Sequence, residues 1–258
     1  MSIKKRIVVK IGTSTLTVGT EIISRGKMED IARQIIELQE EYDVILISSG
    51  AVAAAKQFDK LLSTPDDLVT SKQALSAIGQ PKLMQLYNEV FADFGLKIAQ
   101  CLVTHHDFDN PVSRNHTFNT ITSLLAHQYI PIINENDTVA IDELSILGDN
   151  DTLSALVAVL IDAQKLIIAS DIDGIYDSNP HTNPDAELIE EVNDVEDVKP
   201  FIEELEDGLG TGGMTTKIKA MEICEGHNIE VYIVNGSTEF FIKKTLEEDI
   251  PYTKFTNT

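Results

Sequence analysis

Val44-Ile45-Leu46-Ile47-Ser48-Ser49-Gly50-Ala51-Val52-Ala53-Ala54-Ala55 sets the fold class. Its first half is an apolar run with no polar alternation, the pattern of a strand buried on both faces. Small residues and a glycine then open an alanine-rich helical stretch. Leu166-Ile167-Ile168-Ala169-Ser170 repeats the strand pattern. Further strands are expected at Arg6–Ile11, Lys97–Val103, Ile130–Asn134 and Glu230–Val234. Helices are expected at Lys27–Glu41, over most of Leu68–Phe94, and at Ser113–His127, Thr152–Ala163 and Met214–Glu225. Strands separated by helices predict an α/β protein with a parallel sheet covered on both faces. In such sheets ligands bind beyond the carboxyl ends of the strands, which directs attention to those ends.

The 258 residues are 43% apolar, enough for a substantial core. No stretch reaches the roughly 18 apolar residues that span a bilayer. The basic start Lys4-Lys5-Arg6 precedes only a short apolar run ended by Gly12, so it reads as a first strand without a targeting segment. Acidic residues outnumber basic ones 42 to 20, a formal charge of −22, which disfavours nucleic acid and anionic membranes as partners. Anionic substrates would need locally placed cations and backbone amides. Cys101 and Cys224 stand alone, without metal-ligand spacing, and fit a reducing, cytoplasmic compartment. The histidines show no ligand spacing either, so no metal site built from protein ligands is expected.

Four strand ends and one helix start carry the chemistry. Lys10-Ile11-Gly12-Thr13-Ser14 closes the first strand. A lysine there is costly unless it meets a counter-charge or snorkels to an edge. Ser48-Ser49-Gly50 leads into a helix start, where free N–H groups suit an anion or a serine simply caps the helix. Glu135-Asn136-Asp137 reads as a polar turn, or as carboxylates for an ammonium group. Gly148-Asp149-Asn150-Asp151 precedes a helix that is apolar almost all round, so its start faces an internal cleft. Three Asp/Asn in a row exceed what capping requires. Ser170-Asp171-Ile172-Asp173-Gly174 follows a buried strand, where an Asp-Gly hairpin turn would account for the last two residues. Asp171-x-Asp173 lacks the rest of a calcium loop.

The glycine-rich segment Gly208-Leu209-Gly210-Thr211-Gly212-Gly213-Met214-Thr215-Thr216-Lys217 is a sixth signal. It lies too late in the chain for a dinucleotide fingerprint, and Lys217 does not follow Gly213 directly as in a Walker loop. A lysine in a helix's first turn faces an unfavourable dipole unless an anion sits beside it, and a phosphate chain fits. The acid-rich stretch Asp194–Asp207 before it reads as a solvated helix and connector.

In order along the chain, these segments resemble the amino acid kinase family, and within it the glutamate 5-kinase branch. The matching stretches are Val9–Ser14, Ser48–Ala54, Ser71-Lys72-Gln73 through Gly79-Gln80, Ile132–Asp137, Gly148–Ala155, Asp171–Tyr176 and Gly208–Lys217. They span about positions 6 to 236. The resemblance implies a three-layer αβα sandwich with a mainly parallel central sheet. It implies an amino-acid-binding half over about residues 1–163 and a nucleotide-binding half over about 164–258. Lys10, Gly12, Ser170, Asp171, Thr211, Gly212, Gly213, Met214, Thr215, Thr216 and Lys217 would contact ATP. Ser49, Asp137 and Asn150 would hold L-glutamate, and Asp151 would sit between Lys10 and Lys217 and keep them aligned.

The implied reaction is phosphorylation of the glutamate side-chain carboxylate, the first step of proline biosynthesis. The nucleophile is already ionised, so catalysis reduces to positioning two anions and neutralising charge. Mg²⁺ would be held mainly by phosphates and water. A homo-oligomer, dimer or tetramer, and feedback inhibition by L-proline are also implied. Two departures bear on these last points. Many relatives carry a C-terminal PUA domain, which is not expected in a chain ending at Thr258. Tyr252 stands where the family pattern Gly-Thr-x-Phe leads one to expect glycine. Other acceptors, such as N-acetylglutamate or aspartate, and a silent amino-acid sensor are the competing readings.

Overall fold

The computed structural model describes residues 4–58, 68–139, 150–180, 182–201 and 212–256. Strand β1 (Lys5–Ile11) pairs in parallel with β2 (Tyr42–Ser48) on one side and β5 (Lys165–Ser170) on the other. The two apolar runs thus become the immediate neighbours of the first strand. Beyond β2 lie β4 (Tyr129–Glu135) and β3 (Lys97–Val103), both parallel. Beyond β5 lies β9 (Glu230–Asn235), also parallel. Then come β10 (Tyr252–Phe255), antiparallel to β9, and β8 (Glu191–Val192). The order is β3-β4-β2-β1-β5-β9-β10-β8, with a separate β6 (Ile175–Tyr176) and β7 (Leu188–Ile189) pair.

The strands bury both faces because successive residues point to opposite sides. Ile7, Val9 and Ile11 enter a core with Ile31 and Ile35 of α2 (Arg25–Leu38) and Tyr87 and Phe91 of α4 (Leu68–Asp93). Phe241 of α9 (Phe241–Leu246) completes that side. Val8 faces the opposite core, with Leu153 and Val157 of α7 (Asn150–Leu160) and Ile218 and Met221 of α8 (Gly212–Cys224). Helices on both faces of a mainly parallel sheet make the expected αβα sandwich.

The expected strands and long helices all form, with ends shifted by a few residues. Leu68–Asp93 is one helix despite Pro81, which removes an intrahelical donor. Buried Leu83, Tyr87, Val90 and Phe91 hold it downstream. Upstream it packs closely on α3 (Ala51–Phe58), where a Cβ on Gly79 would lie 1.7 Å from the Ala51 carbonyl oxygen. Side-chain bulk is excluded there.

Two readings need correction. Asp173-Gly174 is not a two-residue hairpin turn, because it precedes β6, whose partner β7 begins only at Leu188. Gly174 is required instead by contact with β10, since a Cβ would sit 2.4 Å from Thr253 Oγ1. The acidic stretch is not wholly solvated. It contains a 3₁₀ turn at Val195–Asp197, and Val195 and Val198 are buried in the core. The rest of that stretch, from residue 202, lies outside the described residues. Tyr252, where the family pattern has glycine, meets Tyr232 edge-on at 5.7 Å.

Candidate active site

The alternation that buries Val8 puts Lys10 on the same face of β1, under the starts of α7 and α8. There its Nζ lies 2.6 Å from Asp151 Oδ1. Lys217 Nζ approaches the other carboxylate oxygen at 3.2 Å, and Thr216 Oγ1 donates to that same oxygen at 3.0 Å. Lys217 also donates to the Gly213 carbonyl at 2.8 Å. Lys10, Asp151 and Lys217 are only 7%, 0% and 6% exposed. Burial pushes the Asp151 pKa up, but the neighbouring Lys10 and Lys217 charges and their hydrogen bonds outweigh it. The carboxyl is held below its ordinary value. Three residues from distant parts of the chain therefore form one charged unit. Two ammonium groups against one carboxylate leave a net positive charge, which is a receptor for an anion.

A cavity of about 180 Å³ opens beyond the carboxyl ends of β2 and β4. Ser49, Asp137 and Asn150, the three residues expected to hold the amino acid, all line it. Its floor is a relay of amides. Gln80 Oε1 accepts from Asn134 Nδ2 at 2.9 Å, and Asn134 Oδ1 accepts from Asn150 Nδ2 at 2.9 Å. Asn150 Nδ2 also donates to Ser49 Oγ at 2.8 Å. Asn150 Oδ1, by contrast, is buried without a hydrogen-bond partner among the described residues, so an acceptor is left over. Asn150 adjoins Asp151 in sequence, so the cavity and the lysine pair meet at the first turn of α7. Glu135 lies in the same wall, with His105 Nδ1 at 3.6 Å.

The residues expected on the nucleotide side sit around the lysines from the other half of the sheet. Gly12 follows β1, and a Cβ there would lie 3.6 Å from Lys10 Nζ, so an incoming group can reach the lysine across bare backbone. Ser170 ends β5, buried, and donates to Asp171 Oδ1 at 3.1 Å, while Asp171 itself is exposed. Gly213, Met214, Thr215 and Thr216 occupy the opening turns of α8 beside Lys217, and Gly212 begins that helix. Thr211, Gly208 and Gly210 lie outside the described residues, as do Gly148 and Asp149. Sequence reasoning gave no role to Thr13, Lys72, Gln80 or Asn134, three of which line the cavity while Gln80 supports it, and Glu135, read as one of two carboxylates for an ammonium group, lines it with Asp137. Lys72 and Gln80 stood in a recognised motif, which was the available signal. Among the described residues no three His, Cys, Asp or Glu side chains gather as a metal cage.

Residues 5–235 match the amino acid kinase family. The chain is 44% identical over 243 residues to the glutamate 5-kinase of Clostridium acetobutylicum, covering 93% of this chain and 90% of that protein. It is 42% identical over 254 residues to glutamate 5-kinase 2 of Pseudoalteromonas translucida, covering 96% of this chain and 68% of the relative. Among solved structures, carbamate kinase from Giardia lamblia bound to AMP-PNP superposes with a TM-score of 0.67 at 17% identity, over the whole of both chains. UMP kinase from Ureaplasma parvum superposes with a TM-score of 0.65 at 18% identity, covering 99% of this chain and 100% of that one. At such identities these two speak to the fold alone.

Proposed function

This chain belongs to the amino acid kinase family, and we propose that it transfers the γ-phosphoryl group of ATP to the side-chain carboxylate of L-glutamate, giving L-glutamyl 5-phosphate and ADP. The observation that carries this reading is the buried Lys10–Asp151–Lys217 unit, joined through the first turn of α7 to the cavity that Asn150 lines. A glutamate carboxylate oxygen attacks the γ-phosphorus in line, and the bond from that phosphorus to the β,γ-bridging oxygen breaks. The carboxylate is ionised at neutral pH, so no residue has to remove a proton. Lys10 and Lys217 offset the charge that accumulates on the transferring group, and Asp151 keeps them apart and aimed.

Both Asp151 oxygens are already engaged by lysines and Thr216, so the carboxylate has little room for a metal. Mg²⁺, entering with ATP, would be held by phosphates and water and would supply further charge neutralisation. Ser170, Asp171 and residues Gly212–Lys217 form the nucleotide wall, with Thr211 assigned to it from the sequence. Ser49, Asp137 and Asn150 hold glutamate, Asp137 taking the ammonium and the unpartnered Asn150 Oδ1 accepting from it. The four strands β3-β4-β2-β1 and the four strands β5-β9-β10-β8 support an amino-acid half and a nucleotide half meeting between β1 and β5. The product feeds proline synthesis in the cytoplasm, the enzyme works as a homo-oligomer, and L-proline inhibits it. No described helix is long and apolar enough to cross a membrane.

The test is ADP release by purified protein with Mg-ATP and, in turn, L-glutamate, N-acetylglutamate and L-aspartate. Turnover with glutamate well above the other two is expected. Turnover that is absent with glutamate, or equal among the three, would sink the assignment. Glu135 and Asp137 in the wall favour a free ammonium over an acetylated nitrogen, which argues against the N-acetyl acceptor.

A further inference from the structure

We propose that Lys72 is the residue that recognises the α-carboxylate of the acceptor, and so selects an α-amino acid over a simple carboxylic acid. This rests on glutamate being the acceptor. The starting point is the charge inventory of the cavity. Among the described residues its wall contains two carboxylates, Glu135 and Asp137, and a single cation, Lys72, near the start of α4. Glutamate has two carboxylates and one ammonium. Its γ-carboxylate must face Lys10 and Lys217, because those lysines define where the phosphoryl group arrives. The α-carbon end then lies against the rest of the wall.

An ammonium on that end is satisfied by Asp137. The start of α3 at Gly50–Val52 also lines the cavity and offers an α-carboxylate partial positive charge, but against the full charges of Glu135 and Asp137 that carboxylate is repelled unless a cation meets it as well. Lys10 and Lys217 are buried against Asp151 and are occupied by the reaction. No described residue forms an ion pair with Lys72, whose long side chain sits at the cavity wall. The lone cation is therefore matched to the one substrate charge that the other residues leave uncompensated. The contact forms in the ground state and persists through the reaction, so it governs acceptor affinity more than turnover.

The experiment compares the wild-type enzyme with K72M and K72R on two acceptors. One is L-glutamate and the other is L-isoglutamine, which keeps the γ-carboxylate and ammonium but carries a neutral α-carboxamide. If isoglutamine is not phosphorylated, its inhibition constant against glutamate replaces KM. K72M should raise KM for glutamate roughly 10- to 100-fold, the range of a lost charge-assisted hydrogen bond. KM for ATP and kcat should stay within about threefold. The wild-type preference for glutamate over isoglutamine should collapse in K72M and return in part in K72R. An unchanged KM for glutamate in K72M, with normal folding by circular dichroism, overturns the proposal. Equal losses for both acceptors also overturn it, since Lys72 would then act on the wall or on the γ-carboxylate. A wild-type enzyme inactive on glutamate would instead defeat the functional reading itself.

Discussion

In the proposed reaction Asp151 would act without taking up a proton, by holding two cations in place. Its two oxygens are divided between Lys10 on a strand and Lys217 on a helix, which fixes the spacing of the two cations. Lys217 lies one turn into α8 rather than in its first turn, so it is Asp151 and the Gly213 carbonyl, not the helix dipole, that set its position, and in the proposed reaction it would face the developing charge. Lys217→Ala should therefore lower kcat roughly 10²- to 10³-fold, in the range seen when one transition-state donor is removed. KM for glutamate should move by no more than about threefold. Steady-state kinetics check this, and a near-normal kcat would show that Lys217 is not the cation of the transition state. Residue chemistry alone marked Lys10, Asp151 and Lys217 as unusual without pairing them, and it was the resemblance to the amino acid kinase family that implied their union. The Gln80–Asn134–Asn150 relay was not legible, since an amide on a helix reads the same whether it faces solvent or another amide.

The strands and long helices announced themselves through period and apolar run length. The elements that escaped include β6, β7, β8, β10 and α9 and the short helices Thr13–Thr17 and His106–Asp109, which run from two to six residues and carry too few positions for a period to show. Helix α9 has a further reason to be silent. Its N-cap, Phe240, has a positive φ of 57° and offers no capping side chain. The caps come instead from α2, some 200 residues earlier. Asp30 accepts from Phe240 N at 3.2 Å, and Gln34 Oε1 accepts from Ile242 N at 2.8 Å and Lys243 N at 3.1 Å. No local pattern can reveal a cap supplied from so far away. Gln34 is fully buried, so Gln34→Leu should leave one buried and one part-buried N–H group unpaired and cost about 2–4 kcal/mol. Urea unfolding reads this loss. kcat should hold, because α9 lies on the face opposite Lys10.

Across the molecule, the excess of acidic residues makes the low-pH side the informative one. Asp151 is held below its ordinary 3.8 because the lysines outweigh its burial. Glu230 is likewise held below 4.5, where burial is outweighed by hydrogen bonds from Lys165 and Lys254. Both groups have lower pKa values folded than unfolded. Their contribution is fully present above the unfolded values and is lost as pH falls through the folded ones. Stability should be level above about pH 5 and decline below it. Glu230→Gln should make that acid decline shallower, which a series of urea midpoints would show. An unaltered slope would mean that Glu230 is no better paired in the native state than in the unfolded chain.

The central place of β1 has a consequence for how the protein is made. Its partner β2 leaves the ribosome soon after it, but β5 begins only at Lys165. At typical translation rates that interval is roughly 10–30 s. During it, the nascent chain can assemble β3, β4, β2 and β1 while one side of β1 has no neighbour. The same strand carries Lys10, whose counter-charge is made at position 151 and whose companion lysine is made at 217. The open side of β1 is covered once β5 is made, but the charged unit completes only when position 217 has been translated, so a shorter chain lacks one of its two lysines.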